Sequence, residues 1–141
     1  MGIYTSRNSD LAISRHQRFA KVALELAKAA THDVTHQLCA LVVCKTRVLS
    51  VGYNQPKTHP ISKDTMMQQL HAEMSAVLRC PDTAVEGAEV VVVRLKPSGK
   101  PGLARPCSVC ETILRRFGIK RVFYTINCDT PEDPQIEEMH L

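Results

Sequence analysis

The chain has no tryptophan, and only three phenylalanines and three tyrosines among its 141 residues. Proteins that grip single-stranded nucleic acid usually add stacking aromatics to positive charge, so this scarcity counts against a broad base-stacking platform. No run of about 18 apolar residues occurs, so no helix is expected to span a membrane. The opening stretch, Met1-Gly2-Ile3-Tyr4-Thr5-Ser6, lacks the apolar core of an export signal. It fits the loose N-myristoylation pattern, a short match that carries little weight. A chain without an export signal is expected in the cytoplasm, where thiols stay reduced. The six cysteines then read as ligands or small core residues rather than as a disulfide set. Neither sign of charge dominates: Lys and Arg outnumber Asp and Glu by 18 to 14, a net charge of +4. Such an excess suits an ordinary soluble surface and also attracts phosphate, so it does not choose between them.

What is present is enough for one domain with a real core, since single domains cluster near 100–150 residues. Residues 1 to about 12 are polar and read as irregular. From Ser14, Phe19, Val22, Ala23, Leu26, Ala27 and Ala30 recur at helical spacing and predict a packing helix. Thr31 to Gln37 is a connector, and His32 and His36 in it read as solvated loop histidines rather than as a metal pair. Residues 38–44 form an unbroken apolar run, as expected of a strand buried on both faces, with Cys39 and Cys44 as inert core thiols. Lys45-Thr46 predicts a turn into a second strand over 47–54, although the favoured Asn-Gly is missing.

Residues 55–67 read as a loop broken by Pro56 and Pro60. A helix is predicted over 68–79, a β-branched strand over 89–95, and a turn-rich loop over 96–102. Pro106 is suited to open a helix that ends near Phe117 and Gly118. Residues 120–126 predict the last clear strand. The acidic tail, broken by Pro131 and Pro134, suggests at most a short helical turn. Helices alternate with strands, which places them on the faces of a sheet. The expectation is an α/β fold, a three-layer α/β/α sandwich with a mixed sheet of four to five strands.

Two stretches carry chemistry: His71-Ala72-Glu73 and Pro106-Cys107-Ser108-Val109-Cys110. One imidazole and two thiolates suit tetrahedral zinc, and three protein ligands leave the fourth position open. At the start of a helix, thiolates gain from free backbone N–H groups and the positive end of the dipole. Glu73 follows His71 closely enough to face the same site without coordinating. A carboxylate placed there can take a proton from water and pass it to a departing nitrogen. Cys-x-x-Cys alone also fits a structural zinc knuckle or a redox pair. A four-cysteine site wants a second such pair, and none exists. A redox pair has no need of His-x-Glu.

His71-Ala72-Glu73 with Pro106-Cys107-x-x-Cys110 resembles the zinc-dependent cytidine/deoxycytidylate deaminase superfamily, over roughly residues 14–126. The resemblance implies one catalytic zinc on His71, Cys107 and Cys110, with Glu73 as the proton shuttle, in a single deaminase domain spanning 1–141. Gly52-Tyr53-Asn54 resembles the family segment whose Asn meets sugar or base, and the backbone of Ala72 would meet the base edge. The family's usual fifth strand is not evident in the tail. A second, structural zinc on His59 and Cys80 lacks a tidy set of four ligands and is not expected.

Three functions remain open. A free-nucleotide deaminase, acting on dCMP or a relative, could hold a 5′-phosphate on Lys57 and His59. A polynucleotide deaminase, acting on cytosine in single-stranded DNA or RNA or on adenine in tRNA, could use a basic track of Lys96, Lys100, Arg105, Arg115 and Arg116. The scarcity of aromatics ranks it second. A catalytically silent binding module is the third, and the filled catalytic positions argue against it. Family members often assemble, so a homo-oligomer is possible, with the helix of 107–117 as a candidate interface.

Overall fold

The computed structural model describes residues 3–30, 37–54 and 71–141, with side chains from residue 15 onward except at 82 and 83. In chain order the elements are α1 (Ile3–Ala29), β1 (Gln37–Cys44), β2 (Arg47–Tyr53), α2 (Ala72–Arg79), α3 (Asp82–Val85), β3 (Glu89–Leu95), β4 (Pro101–Gly102), α4 (Ser108–Arg116), β5 (Arg121–Thr125) and β6 (Ile136–His140). The strands make one mixed sheet in the order β2-β1-β3-β5-β6, with the short β4 paired to β3. Only β3 and β5 run parallel, and α4 lies in the crossover between them.

The apolar run of β1 explains the layering. Its side chains alternate: Cys39, Leu41 and Val43 join Ala20, Ala23, Leu24 and Ala27 of α1 on one face. Ala40 and Val42 join Ala72, Ala76 and Val77 of α2 on the other. β3 does the same, with Val91 and Val93 toward α1 and Val90 and Val92 toward α2. Both faces are covered, as a continuously apolar strand requires. The result is the three-layer α/β/α sandwich. No described helix is long and apolar enough to cross a membrane.

Several expectations are corrected. Helix α1 begins at Ile3, within the stretch read as irregular. Apolar periodicity marks where a helix packs, while extending an existing helix through polar residues costs little. The buried stripe is also rotated: Val22 is 44% exposed, whereas Ala20 and Leu24 face the sheet. Cys44 is exposed, because it sits at the strand end beside the turn. That turn places Lys45 at a positive φ of 56°, and the ladder shifts register between Val42 and Val43. Pro106 lies just outside α4, whose N-cap is Cys107.

The tail contains a strand rather than a helical turn. β6 pairs antiparallel with β5, so the sheet has six strands with β4 counted. β6 is an edge strand, where charged residues such as Glu137, Glu138 and His140 are tolerated and discourage further pairing. Its Met139 enters the core opposite Val122.

A polar cluster ties α1 to this side of the sheet. His16, 1% exposed, stacks on Phe123 with ring centroids 3.5 Å apart. Its Nε2 lies 2.9 Å from Glu89 Oε1. Arg121 pairs with Glu89 and, at 3.2 Å, with Glu138.

Candidate active site and metal centre

Two helix starts converge on the site. His71 is the N-cap of α2 and Cys107 the N-cap of α4, both with extended backbones. The first helical hydrogen bonds run from Ser75 N–H to the His71 carbonyl (3.0 Å) and from Glu111 N–H to the Cys107 carbonyl (2.9 Å). Such positions favour Ser, Thr, Asp or Asn, whose side chains cap free N–H groups. Here neither side chain makes a cap hydrogen bond. Both helices forgo about 1 kcal/mol of capping, and each presents a metal-ligating group at its first turn instead.

Packing sets the distance between these starts. Met74 of α2 meets Cys110 and Ile113 of α4 in a small buried cluster. Gly52 of β2 lets α2 lie against the sheet: a Cβ there would stand 2.2 Å from Ala76 N and 2.5 Å from the Ala72 carbonyl oxygen. Ser50 Oγ donates to the Ala76 carbonyl at 2.7 Å, fixing the same contact. The resemblance pointed to this segment only for Asn54. The signal available for Gly52 was a glycine inside a strand, which often marks a close backbone approach.

His71 Nδ1 lies 3.3 Å from Cys110 Sγ and 3.9 Å from Cys107 Sγ. All three ligand atoms fall within 4.8 Å of one another. Tetrahedral zinc, with Zn–N of about 2.0–2.1 Å and Zn–S of about 2.3 Å, sets nitrogen and sulfur about 3.5 Å apart and two sulfurs about 3.8 Å apart. The cluster fits one such ion.

The electrostatics agree. Burial lowers the His71 pKa, favouring the neutral imidazole that a metal needs. The Cys110 thiol is pushed far above its usual range, first by burial and then by the charges of Glu73 and Cys107. A cation among these groups reverses that balance. Glu73, 3% exposed, is raised by burial, against opposing hydrogen bonds from its own backbone and Cys110. Its Oε1 is buried and, among the described residues, has no hydrogen-bond partner. An unsatisfied buried carboxylate oxygen costs free energy, so its place beside the three ligands suits a group awaiting a ligand atom.

The other expected residues are placed as follows. Asn54 Oδ1 accepts from the Leu38 N–H at 3.0 Å, so its side-chain carbonyl joins the ends of β1 and β2. Ala72 is fully buried, with its carbonyl against Gly52. Lys57, His59, His32 and His36 lie outside the described residues. Cys80 is buried in the core on the α2 face. In the suggested basic track, Lys100 pairs with Asp129 and Arg115 with Glu111. The outward residues of α4, including Ser108, Thr112, Arg115 and Arg116, are polar and leave no apolar second face. A cavity of about 750 Å³ opens elsewhere, bordered by Lys21, Leu24 and Lys28 of α1 and by Leu95 and Lys96. None of His71, Cys107 and Cys110 borders it.

Comparison with known proteins agrees with this geometry. The Cytidine and deoxycytidylate deaminase zinc-binding region matches residues 13–126. Among solved structures, the dCMP deaminase from the cyanophage S-TIM5, in complex with dCMP and dUMP, superposes with a TM-score of 0.53 at 19% identity, covering 76% of this chain and 77% of that one. RibD from Acinetobacter baumannii gives a TM-score of 0.53 at 17% identity over 82% of this chain, which spans only 29% of RibD. A diaminohydroxyphosphoribosylaminopyrimidine deaminase/5-amino-6-(5-phosphoribosylamino)uracil reductase from Thermotoga maritima gives 0.53 at 20% identity, covering 86% of this chain and 32% of that one. No curated protein sequence matches. With the family region matching most of its length, the chain belongs to the cytidine and deoxycytidylate deaminase family of zinc-binding proteins.

Proposed function

We propose that this chain, acting as one domain, hydrolyses the exocyclic amino group from the cytosine of a free nucleotide such as dCMP. His71, Cys107 and Cys110 are its zinc ligands and Glu73 moves the protons. The observation that carries the reading is the cluster of His71, Cys107 and Cys110 beside a buried carboxylate oxygen that has no partner among the described residues. Zinc, when bound, supplies a Lewis acid that brings the pKa of water down to about 7. Glu73 takes a proton from the attacking water, delivers one to a ring nitrogen and assists departure of ammonia. The balance is water plus aminopyrimidine giving a ring carbonyl and ammonia. Burial, by raising the Glu73 pKa, suits it to hold a proton between these transfers.

Support for a free nucleotide over a strand comes from the aromatics. Of the five whose side chains are described, Phe123 and Tyr124 are buried and Phe19, Tyr53 and Phe117 are half-buried. All five belong to or pack against the core clusters, whereas single-strand binders use exposed stacking aromatics. Of the basic track, Lys100 and Arg115 have acidic neighbours, Asp129 and Glu111. Ammonia release should be measured across deoxycytidine, dCMP, free adenine nucleotides, and single-stranded DNA and RNA. Turnover of dCMP is expected, and turnover confined to polymers would overturn the reading.

A further inference from the structure

The loop that delivers Cys107 to the site is clamped to the end of β5. Thr125 Oγ1 donates to the Gly102 carbonyl at 2.7 Å and accepts from the Arg94 N–H at 3.2 Å. Ala104 N–H donates to the Thr125 carbonyl at 2.9 Å, and Leu103 N–H donates to Asn127 Oδ1 at 3.2 Å. Arg105 follows directly, and Pro106 and Cys107 come next. Pro106 is buried, so the chain enters the site stiffly while Arg105 is left exposed.

The Arg105 guanidinium does not drift free. Its carbon lies 5.9 Å from the centre of the Tyr124 ring. That ring is itself fixed, 4% exposed, with its hydroxyl donating to Glu137 Oε1 at 3.3 Å. Tyr124 lies on the sheet face that carries α2 and the ligand His71. Among the described residues Arg105 has no ion pair, unlike Arg115, Arg121 and Lys100. An aromatic face orients an arginine without neutralising it. The outcome is an exposed guanidinium, without an ion pair among the described residues and held over an aromatic ring, two residues before Cys107.

We infer that Arg105 is a specificity-determining residue that binds the phosphate of the substrate nucleotide. This inference rests on the free-nucleotide reading above and names the group that would enforce it. A guanidinium presents paired N–H donors that match two phosphate oxygens, and a cation–π contact to a ring lowers the entropy lost when they bind. The ring of Tyr124 supports the arginine rather than the base, which fits a site short of free aromatics.

The test uses the zinc-loaded full chain and two probes, dCMP and deoxycytidine. Wild type is expected to favour dCMP in KM. Arg105→Gln should raise KM for dCMP by about 10- to 100-fold, the scale of a charge-assisted contact, with kcat little changed. Kinetics on deoxycytidine should stay within about twofold. Arg105→Lys should recover part of the loss, because charge is kept and the planar fork is not. Calorimetric titration of dCMP, and of inorganic phosphate as competitor, gives a readout apart from turnover. An equal loss on both probes, or a dCMP preference kept in Arg105→Gln, would overturn the inference while leaving the deaminase reading intact. Failure of wild type to turn over dCMP, with turnover of a single strand, would overturn the free-nucleotide reading and this inference together.

Discussion

At the scale of single residues, the chain separates thiols by environment. Cys39 is fully buried, and burial pushes its pKa up to about 12. Cys44, five residues later on the same strand, is exposed. A thiol-alkylating reagent at pH 8 should therefore modify Cys44 in the native protein and reach Cys39 only on unfolding, as mass spectrometry of digests would read. Equal labelling of both in folded protein would contradict the burial argument. The sign of the pH effect follows. The folded Cys39 pKa lies above the ~8.5 of an unfolded thiol. Its neutral form therefore contributes stability that is fully present below about pH 8.5 and is lost as pH rises toward about 12. Outside the site, Glu89 joins His16, Arg15 and Arg121. Glu89→Ala should cost about 1–3 kcal/mol by denaturant unfolding, because it removes the carboxylate that His16, Arg15 and Arg121 share.

At the scale of elements, what was legible followed from covalent spacing. Cys107 and Cys110 share one helical turn, and His71 and Glu73 share another, so these residues could be read as one constellation before any fold was known. The strand over 89–95 was legible for a similar reason, since four consecutive valines leave few alternatives. Contacts distant in sequence were not legible. Gly52 gave no sign of which helix would rest on it, and β6 is specified by pairing to β5 rather than by its own acidic sequence. The helix over 3–13 was missed because its residues carry no apolar stripe. Two element-scale outcomes follow. Gly52→Ala should destabilise the protein by about 3 kcal/mol or more and reduce zinc content, because backbone rather than a flexible side chain stands in the way. Lys45→Asn should raise stability by no more than about 1 kcal/mol, since Asn accepts the left-handed conformation that Lys45 adopts at φ 56°.

At the scale of the whole molecule, the sheet works as a platform. Its α1 face is closed by Ala20, Ala23, Leu24 and Ala27, and its other face carries α2 and α4 with His71 and Cys107 at their starts. Zinc would join two helices that otherwise meet through a small cluster of Met74, Cys110 and Ile113. Removal of the metal by a chelator should lower Tm by about 10 °C, on the order of 2–3 kcal/mol of binding free energy coupled to folding. Re-addition of zinc should restore it, and an unchanged Tm would mean that the ion does not bridge the helices. The most direct measurement is the pairing of zinc content with ammonia release in Glu73→Gln. In the proposed function Glu73 moves protons and is not a ligand, so one zinc per chain is predicted, as in wild type, with a rate on dCMP lower by about 10²–10⁴-fold. A rate equal to wild type, or loss of zinc with loss of the carboxylate, would contradict it.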